Sequence, residues 1–260
     1  MRILTLIENT CDIPDLDKEH GLSLYIETKH HKILFDTGAT GCFADNAKKL
    51  GVDLSQVDTL VLSHGHNDHS GGLERFFRIN DRAPVYLCPD AGEEHFSAAG
   101  DFIGLTPELL KSDRLRYTVD GQRIGQGLTL HTGNQRVMYT SVDTAGLTVL
   151  RNGVRVADDF SHEQYLLIRE EDKSVLISGC SHKGILNIAH WFAPDVLIGG
   201  FHFFRELPDS PRVTEAAEKL LTYPTKYYTG HCTGLEQYAV MKKIMADRLQ
   251  YLSTGTEIIL

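Results

Sequence analysis

Short apolar segments separated by turns run along the whole chain, and only a few stretches have the spacing of an amphipathic helix. Residues 3–8 and 59–62 are rich in aliphatic side chains and predict two buried strands. Alternating segments on either side of a short turn predict two hairpins, one at residues 22–38 and one at residues 163–178. The remaining predicted strands are residues 84–88, 114–119, 127–132, 136–141, 154–157, 196–198, 227–229 and 256–260.

Four segments have helical spacing, and they are residues 41–50, 185–192, 213–221 and 235–249. Two longer loops are predicted: residues 11–20, which border the candidate site, and residues 92–116, which include a short helix and carry substrate contacts. Each half of the chain has the order hairpin, strand ending in histidine, helix. This order predicts an α/β fold of two similar halves packed as one domain over residues 1–260, with sheets inside and helices outside.

Composition narrows the classes of partner. The chain is 42% hydrophobic and 23% charged with a net charge of −9, which argues against broad binding of nucleic acid or of an anionic membrane. No apolar run approaches the roughly 20 residues that span a bilayer, and the apolar start is too short for a signal peptide. The five cysteines are odd in number and scattered, so we expect no disulfide framework and a cytoplasmic location.

The segment at residues 63–73 concentrates possible metal ligands directly after a predicted buried strand. His64, His66, Asp68 and His69 lie within six residues, and imidazole with carboxylate suits zinc, manganese or iron. Residues two apart in extended backbone face one side, so His64 and His66 can hold one ion. Asp68 and His69 then face a second position about 3.5–4 Å away. The pattern predicts two divalent ions, zinc first among them; a merely solvated polar loop is the alternative.

Three motifs together resemble one known family. Residues 63–72 resemble the signature of the metallo-β-lactamase superfamily. Residues 33–38 resemble its upstream strand, in which Asp36 would support the metal ligands through a hydrogen bond from an imidazole or from neighbouring backbone. Residues 228–231 resemble its last ligand motif, which would make His231 a ligand. The resemblance covers essentially the whole chain and implies an αββα sandwich with one or two metal ions between the sheet edges.

Three further segments resemble one subgroup of that superfamily. They are residues 178–185, 199–202 and 230–234. Members of the subgroup are described as dihydropterin-methyl-ribofuranosyl-aminobenzene phosphate synthase or as metal-dependent hydrolases. Such a resemblance says little about substrate, because one fold hosts many chemistries.

The chain departs from the family pattern at two places. Residues 157–162 stand where a ligand histidine turn is usual, and no such turn is recognisable. Cys180 stands where a bridging aspartate is usual, with His182 two residues later. We expect His182 to supply the missing third imidazole. For Cys180 two interpretations remain open: a thiolate ligand that favours softer metals, or a small buried hydrophobic side chain.

The other histidines divide into one candidate and a remainder. His202 ends a predicted strand that points to the same edge, so it is expected either to bind a substrate oxygen or act as general acid, or to be a capped structural residue. His162 is interpreted as structural. Six histidines have no partner at ligand spacing and are interpreted mostly as surface or local structural residues: His20, His30, His31, His95, His131 and His190.

These ligands predict a hydrolase in which a dinuclear site activates water to attack a phosphorus or carbonyl carbon. Asp68 would both ligate and orient the nucleophile, and either His202 or a metal-bound water would protonate the leaving group. The expected substrate is a small anionic phosphoester or cyclic phosphate, a choice that the subgroup resemblance favours. Three alternatives remain: bond formation of the pterin-precursor synthase type in the same site, a non-catalytic metal-bound sensor or binding module, and a redox variant with one metal ion.

Overall fold

The computed structural model describes residues 1–260. Its strands are β1 (Arg2–Ile7), β2 (Ser23–Glu27), β3 (Lys32–Phe35), β4 (Thr59–Val61), β5 (Val85–Leu87), β6 (Glu94–Phe96), β7 (Leu115–Tyr117), β8 (Gln122–Gly125), β9 (Leu128–His131), β10 (Thr148–Arg151), β11 (Val154–Ala157), β12 (Tyr165–Glu170), β13 (Lys173–Ile177), β14 (Val196–Ile198), β15 (Lys226–Thr229), β16 (Leu249–Tyr251) and β17 (Glu257–Ile259). Its helices are α1 (Cys42–Lys49), α2 (Asn67–Ser70), α3 (Leu73–Ile79), α4 (Ile185–Phe192), α5 (Pro211–Leu220) and α6 (Leu235–Met245). None of these helices combines the length and the apolar character that crossing a membrane requires.

The strands form two seven-stranded sheets and one small sheet. The first sheet has the order β17-β1-β2-β3-β4-β5-β7, and the second has the order β16-β15-β14-β13-β12-β9-β8. In the first, β1, β2 and β3 pair antiparallel and β3, β4, β5 and β7 pair parallel. In the second, β9, β12 and β13 pair antiparallel and β13 to β16 pair parallel. The two halves are therefore similar, as their sequence order predicts.

Three apolar cores separate four layers. Side chains such as Phe35 and Val61 of the first sheet join Leu166 and Ile177 of the second in a core between the sheets. A second core lies between the first sheet and the helices α1 and α3. A third lies between the second sheet and α4, α5 and α6. These layers confirm the αββα sandwich with the sheets inside and the helices outside.

Some predicted elements differ from the structure. Residues 136–141 contain no strand, because the backbone N–H groups of Tyr139 and Thr140 donate to the side chain of Asn187, each at 2.7 Å, instead of to a neighbouring strand. The last helix ends at Met245 rather than at residue 249, since Ala246 takes a left-handed φ of 47°. The short strands β6, β8, β10 and β16 are not predicted from the sequence.

The parallel strands determine where the loops meet. The carboxyl ends of parallel strands lie at one edge of a sheet, and the loops after them meet there. In this chain the loops after β3 and β4 meet the loops after β13, β14 and β15 across the sandwich. Those five loops carry Asp36, His64, Cys180, His202 and His231, respectively.

Candidate metal centre

Three buried imidazoles form a first group of possible ligands. One ring nitrogen each of His64, His66 and His182 lies within 4.8 Å of the others. His64 Nε2 and His182 Nε2 are 3.3 Å apart, and His66 Nε2 is buried without a hydrogen-bond partner. Burial lowers the pKa of all three well below the ordinary value, so each ring is neutral with a lone pair available. This chemistry fits a divalent cation.

A second group lies beside the first and contains the carboxylate. His69 Nε2 is 3.1 Å from His231 Nε2. Asp68 Oδ2 is 3.7 Å from His69 Nε2 and 3.3 Å from His231 Nε2. Burial opposes ionisation of Asp68, but the adjacent His69 and His231 hold its pKa well below the usual range. The structure therefore brings together the residues that the sequence assigns to a second ion.

Cys180 lies between the two groups. Its Sγ is 3.1 Å from His69 Nε2. Cys180, His64 and His69 each offer one possible ligand atom within 4.8 Å of the others, and such a group is called a ligand-sized cluster below. Burial, together with the adjacent Cys232, raises the pKa of the Cys180 thiol well above its ordinary value. Cys232, which the sequence analysis does not single out, forms a further cluster with Cys180 and His231. The position of Cys180 suits a ligand shared by both groups, and its burial equally suits apolar packing.

The outward-facing nitrogens of three candidate ligands are already held by hydrogen bonds. The pairs are His69 Nδ1 with Asp36 Oδ2 at 2.7 Å, His64 Nδ1 with Ser63 Oγ at 2.8 Å, and His231 Nδ1 with Asn9 Oδ1 at 2.9 Å. Such partners fix the ring orientation and leave Nε2 free for a metal. The bond to Asp36 is the one expected from the sequence, and Asn9 is an addition from the structure.

Three buried carboxylates anchor the backbone of the ligand-bearing loops. Asp36 accepts the Ser63 N–H at 2.7 Å. Glu163 accepts the His182 N–H at 2.6 Å, and Glu8 accepts the His231 N–H at 2.5 Å. All three carboxylates are 0% exposed. The loops are therefore positioned by hydrogen bonds from their backbone N–H groups, and Asp36 in addition holds the ring of His69.

A third buried cluster corrects the interpretation of His95. His95 Nδ1 lies 2.9 Å from Asp158 Oδ2, and His162 Nε2 lies 3.2 Å from the same oxygen. His162 Nδ1 accepts the Gly65 N–H at 3.0 Å, so this cluster contacts the loop between two candidate ligands. Together with His66 its members form another ligand-sized group. The prediction that His95 has no such partner is wrong, because that partner lies 63 residues away along the chain.

Of the other histidines that were expected to lack a partner, one lies at the candidate site and four do not. His20, also expected to lack a partner, lies at the mouth of the site with Nε2 3.4 Å from Asp68 Oδ2 and its side chain 62% exposed. Four others belong to none of the ligand-sized clusters: His30, His31, His131 and His190. A cavity of 190 Å³ opens over the candidate ligands, and His20, Ser97 and Ile103 on its wall come from the two loops predicted to border the site.

His202 faces the same cavity without belonging to a ligand cluster. Its ring centroid lies 4.4 Å from that of His182, and its backbone has a left-handed φ of 57°. Burial, with smaller contributions from His231 and Arg205, lowers the pKa of His202 to about 4. A neutral ring at pH 7 favours a hydrogen bond from its N–H to a substrate oxygen over the role of a charged general acid.

Comparisons with known proteins agree with this geometry. Residues 16–231 match the family model of the metallo-β-lactamase superfamily. The chain is 29% identical to 7,8-dihydropterin-6-methyl-4-(β-D-ribofuranosyl)-aminobenzene-5′-phosphate synthase of Methanocaldococcus jannaschii, over 91% of this chain and 88% of that protein. A crystal structure of a metal-dependent hydrolase of the β-lactamase superfamily superposes with a TM-score of 0.87 at 28% identity, covering 100% of this chain and 99% of that one.

A more distant structure shows the same fold. Zinc-bound PqqB from Methylobacterium extorquens superposes with a TM-score of 0.60 at 10% identity, covering 100% of both chains. The superfamily binds divalent metals, and this chain has clusters of His and Asp side chains that could hold a metal ion. From the family match over residues 16–231, the shared fold and these clusters, we conclude that the chain belongs to the metallo-β-lactamase superfamily.

Proposed function

We propose that this protein is a hydrolase that holds two divalent ions, zinc most readily, and cleaves a small anionic phosphoester or cyclic phosphate. One observation carries the proposal: two groups of converging ligand atoms adjoin each other, with Cys180 between them. His64, His66 and His182 would hold one ion. The second would be held by Asp68, His69 and His231.

The residues around the ions have separate tasks. Two divalent ions held there would supply a nucleophile at neutral pH, because a divalent metal can lower the pKa of water to about 7. Asp68 keeps its charge and orients that nucleophile. His202 lies on the cavity wall, where its N–H can donate to the leaving oxygen. Arg205 lies on the same wall and can contact an anionic group.

Support for a phosphorylated substrate comes from two directions. The relative from M. jannaschii is named for a product that carries a 5′-phosphate. In this chain, Arg205 lies on the cavity wall and forms no salt bridge, so its charge is available to an anion. The same relative also favours a second candidate, since its name is that of a synthase. In that case the same site would form a bond to a phosphorylated precursor instead of cleaving one.

Metal analysis combined with a substrate panel tests the proposal. The purified protein should contain about two ions per chain. It should also release product from a phosphodiester faster than from a phosphomonoester, a carboxylic ester or a lactam. Exhaustive chelation should abolish that turnover, and added zinc or manganese should restore it. Undiminished turnover without metal would exclude a metallohydrolase, and bound metal with no turnover on any of the four classes would favour the sensor or the synthase.

Substitution of Cys180 tests whether the thiolate is a ligand. We expect Cys180→Ser to weaken metal binding by about tenfold or more, as loss of a group that contacts the ions should. We also expect bound metal to protect Cys180 from thiol reagents. Cys88→Ala is a matched control, because Cys88 is equally buried but lies in the core next to α1 and α3. Equal metal content and activity in Cys180→Ala would show that the thiol only packs.

A further inference from the structure

A second cavity lies directly beside the one that opens over the candidate ligands. It has a volume of 290 Å³, against 190 Å³ for the first. His182, His202 and Arg205 line both cavities, so they form the junction between them. A molecule that reaches His202 from the metal side therefore meets the second cavity next.

The second cavity has both polar and apolar walls, and seven of its 19 lining residues are hydrophobic. Four of these hydrophobic residues are buried: Ile185, Phe201, Phe203 and Ala216. A cavity of about 150 Å³ lined by such side chains accommodates benzene. The larger volume of 290 Å³ can hold a flat group of two fused rings.

The acidic and basic side chains around this cavity are equal in number, three of each. Arg212 Nη1 lies 3.2 Å from Asp143 Oδ2 and 2.5 Å from Glu206 Oε1. These two carboxylates neutralise the charge of Arg212. Lys219 and Glu215 lie on the rim one turn apart on α5. The rim as a whole therefore attracts ions of neither sign strongly.

Arg205 differs from these side chains. It has no carboxylate partner; its guanidinium donates to the Ala145 carbonyl oxygen and lies 5.3 Å from the centre of the Phe204 ring. Since a guanidinium has five N–H donors, several remain for a ligand. Arg205 is therefore a free cation at the junction between the candidate metal site and the buried hydrophobic residues of the second cavity.

We propose that the second cavity is a substrate subsite. It binds a flat aromatic group on the part of the substrate that is not the leaving group, while Arg205 contacts the anionic centre at the junction. The inference rests on the proposed phosphoester hydrolysis, and it adds a substrate class: anionic esters that bear an aromatic group. Arg205 and the cavity walls would then determine specificity.

The binding test uses 8-anilino-1-naphthalenesulfonate, an aromatic anion whose fluorescence reports binding, with the metal-loaded protein. Val142→Trp should fill the cavity, because Val142 is half-buried and lines it. Leu186→Trp fills it from another wall. Val137→Trp is the matched control, since Val137 is 87% exposed and does not line the cavity. We expect both filling variants and Arg205→Met to weaken binding about tenfold or more, and the control to leave it unchanged.

The kinetic test compares 4-nitrophenyl methyl phosphate with 4-nitrophenyl 1-naphthyl phosphate, following nitrophenolate release. Val142→Trp should lower kcat/KM about tenfold for the naphthyl ester alone, and Arg205→Met should raise KM for both esters. Unchanged dye binding in both filling variants would overturn the subsite, as would an equal effect of filling on the two esters. If the unmodified protein cleaves neither ester, the hydrolase proposal fails, and the dye measurement still decides the subsite.

Discussion

A His66→Ala protein should lose its bound metal and its turnover together while keeping its fold. His66 Nε2 is buried without a hydrogen-bond partner, so the ring contributes little to the stability of the metal-free protein beyond packing. Substitution of residues that merely support a metal ligand costs about 10–100-fold in metal affinity, and loss of a ligand should cost more. Metal content, thermal unfolding and turnover of the proposed phosphodiester substrate would be measured on the same preparation.

The control for this variant is His30→Ala. His30 is exposed in the turn between β2 and β3 and belongs to none of the ligand-sized clusters, so its loss should change neither metal content nor turnover. If His66→Ala retains full activity, the metallohydrolase proposal is wrong. If it fails to fold, as judged by circular dichroism, His66→Gln should still separate loss of metal from loss of structure.

His202→Ala should keep both metals and lose turnover by roughly 10²–10³-fold, the range for removal of one hydrogen-bond donor that stabilises developing negative charge. His202 lines the cavity, but it belongs to none of the ligand-sized clusters. The loss should be greater for poor leaving groups than for nitrophenolate, which needs little stabilisation. Metal content and turnover over a series of leaving groups would be measured in parallel.

His202→Asn separates the possible roles of the imidazole. Asn tolerates the left-handed backbone at this position and keeps an N–H donor, but it cannot transfer a proton. We expect His202→Asn to retain more activity than His202→Ala, because the low pKa of His202 favours hydrogen bonding over proton transfer. Loss of one metal from either variant would make His202 a ligand. Full activity of both on every leaving group would make it structural.

The parts of the fold that the sequence predicts are those with a strong local signal. Helix α4 and strand β14 begin and end where their apolar patterns do. Strand β6 pairs with β10 across more than 50 residues, so no local signal predicts it. Strand β10 pairs with β11 across the two-residue turn Asn152-Gly153, a local hairpin signal that the sequence analysis did not use. Residues 136–141 have the composition of a strand, but the side chain of Asn187 takes their N–H groups. Local composition cannot anticipate such a contact.

The residues of the candidate site also divide into those with a local sequence signal and those without one. His64, His66, Asp68 and His69 are close in sequence and could be found from spacing alone. His182 and His231 required a family resemblance. Asn9, Glu8, Glu163 and the pair of His95 with Asp158 had no recognisable signal, because their partners are distant in sequence: Asn9 meets His231 across 222 residues. An isolated buried carboxylate or amide in a sequence does not reveal which loop it will hold.

The anchoring of the ligand loops by Glu8, Asp36 and Glu163 has an evolutionary consequence. Each carboxylate accepts a hydrogen bond from a backbone N–H, a donor that every amino acid except proline provides. A mutation that exchanges one donor side chain for another therefore leaves the anchor in place. Descendants of such a scaffold can pass from one set of metal donors to another by single steps, each of which still folds.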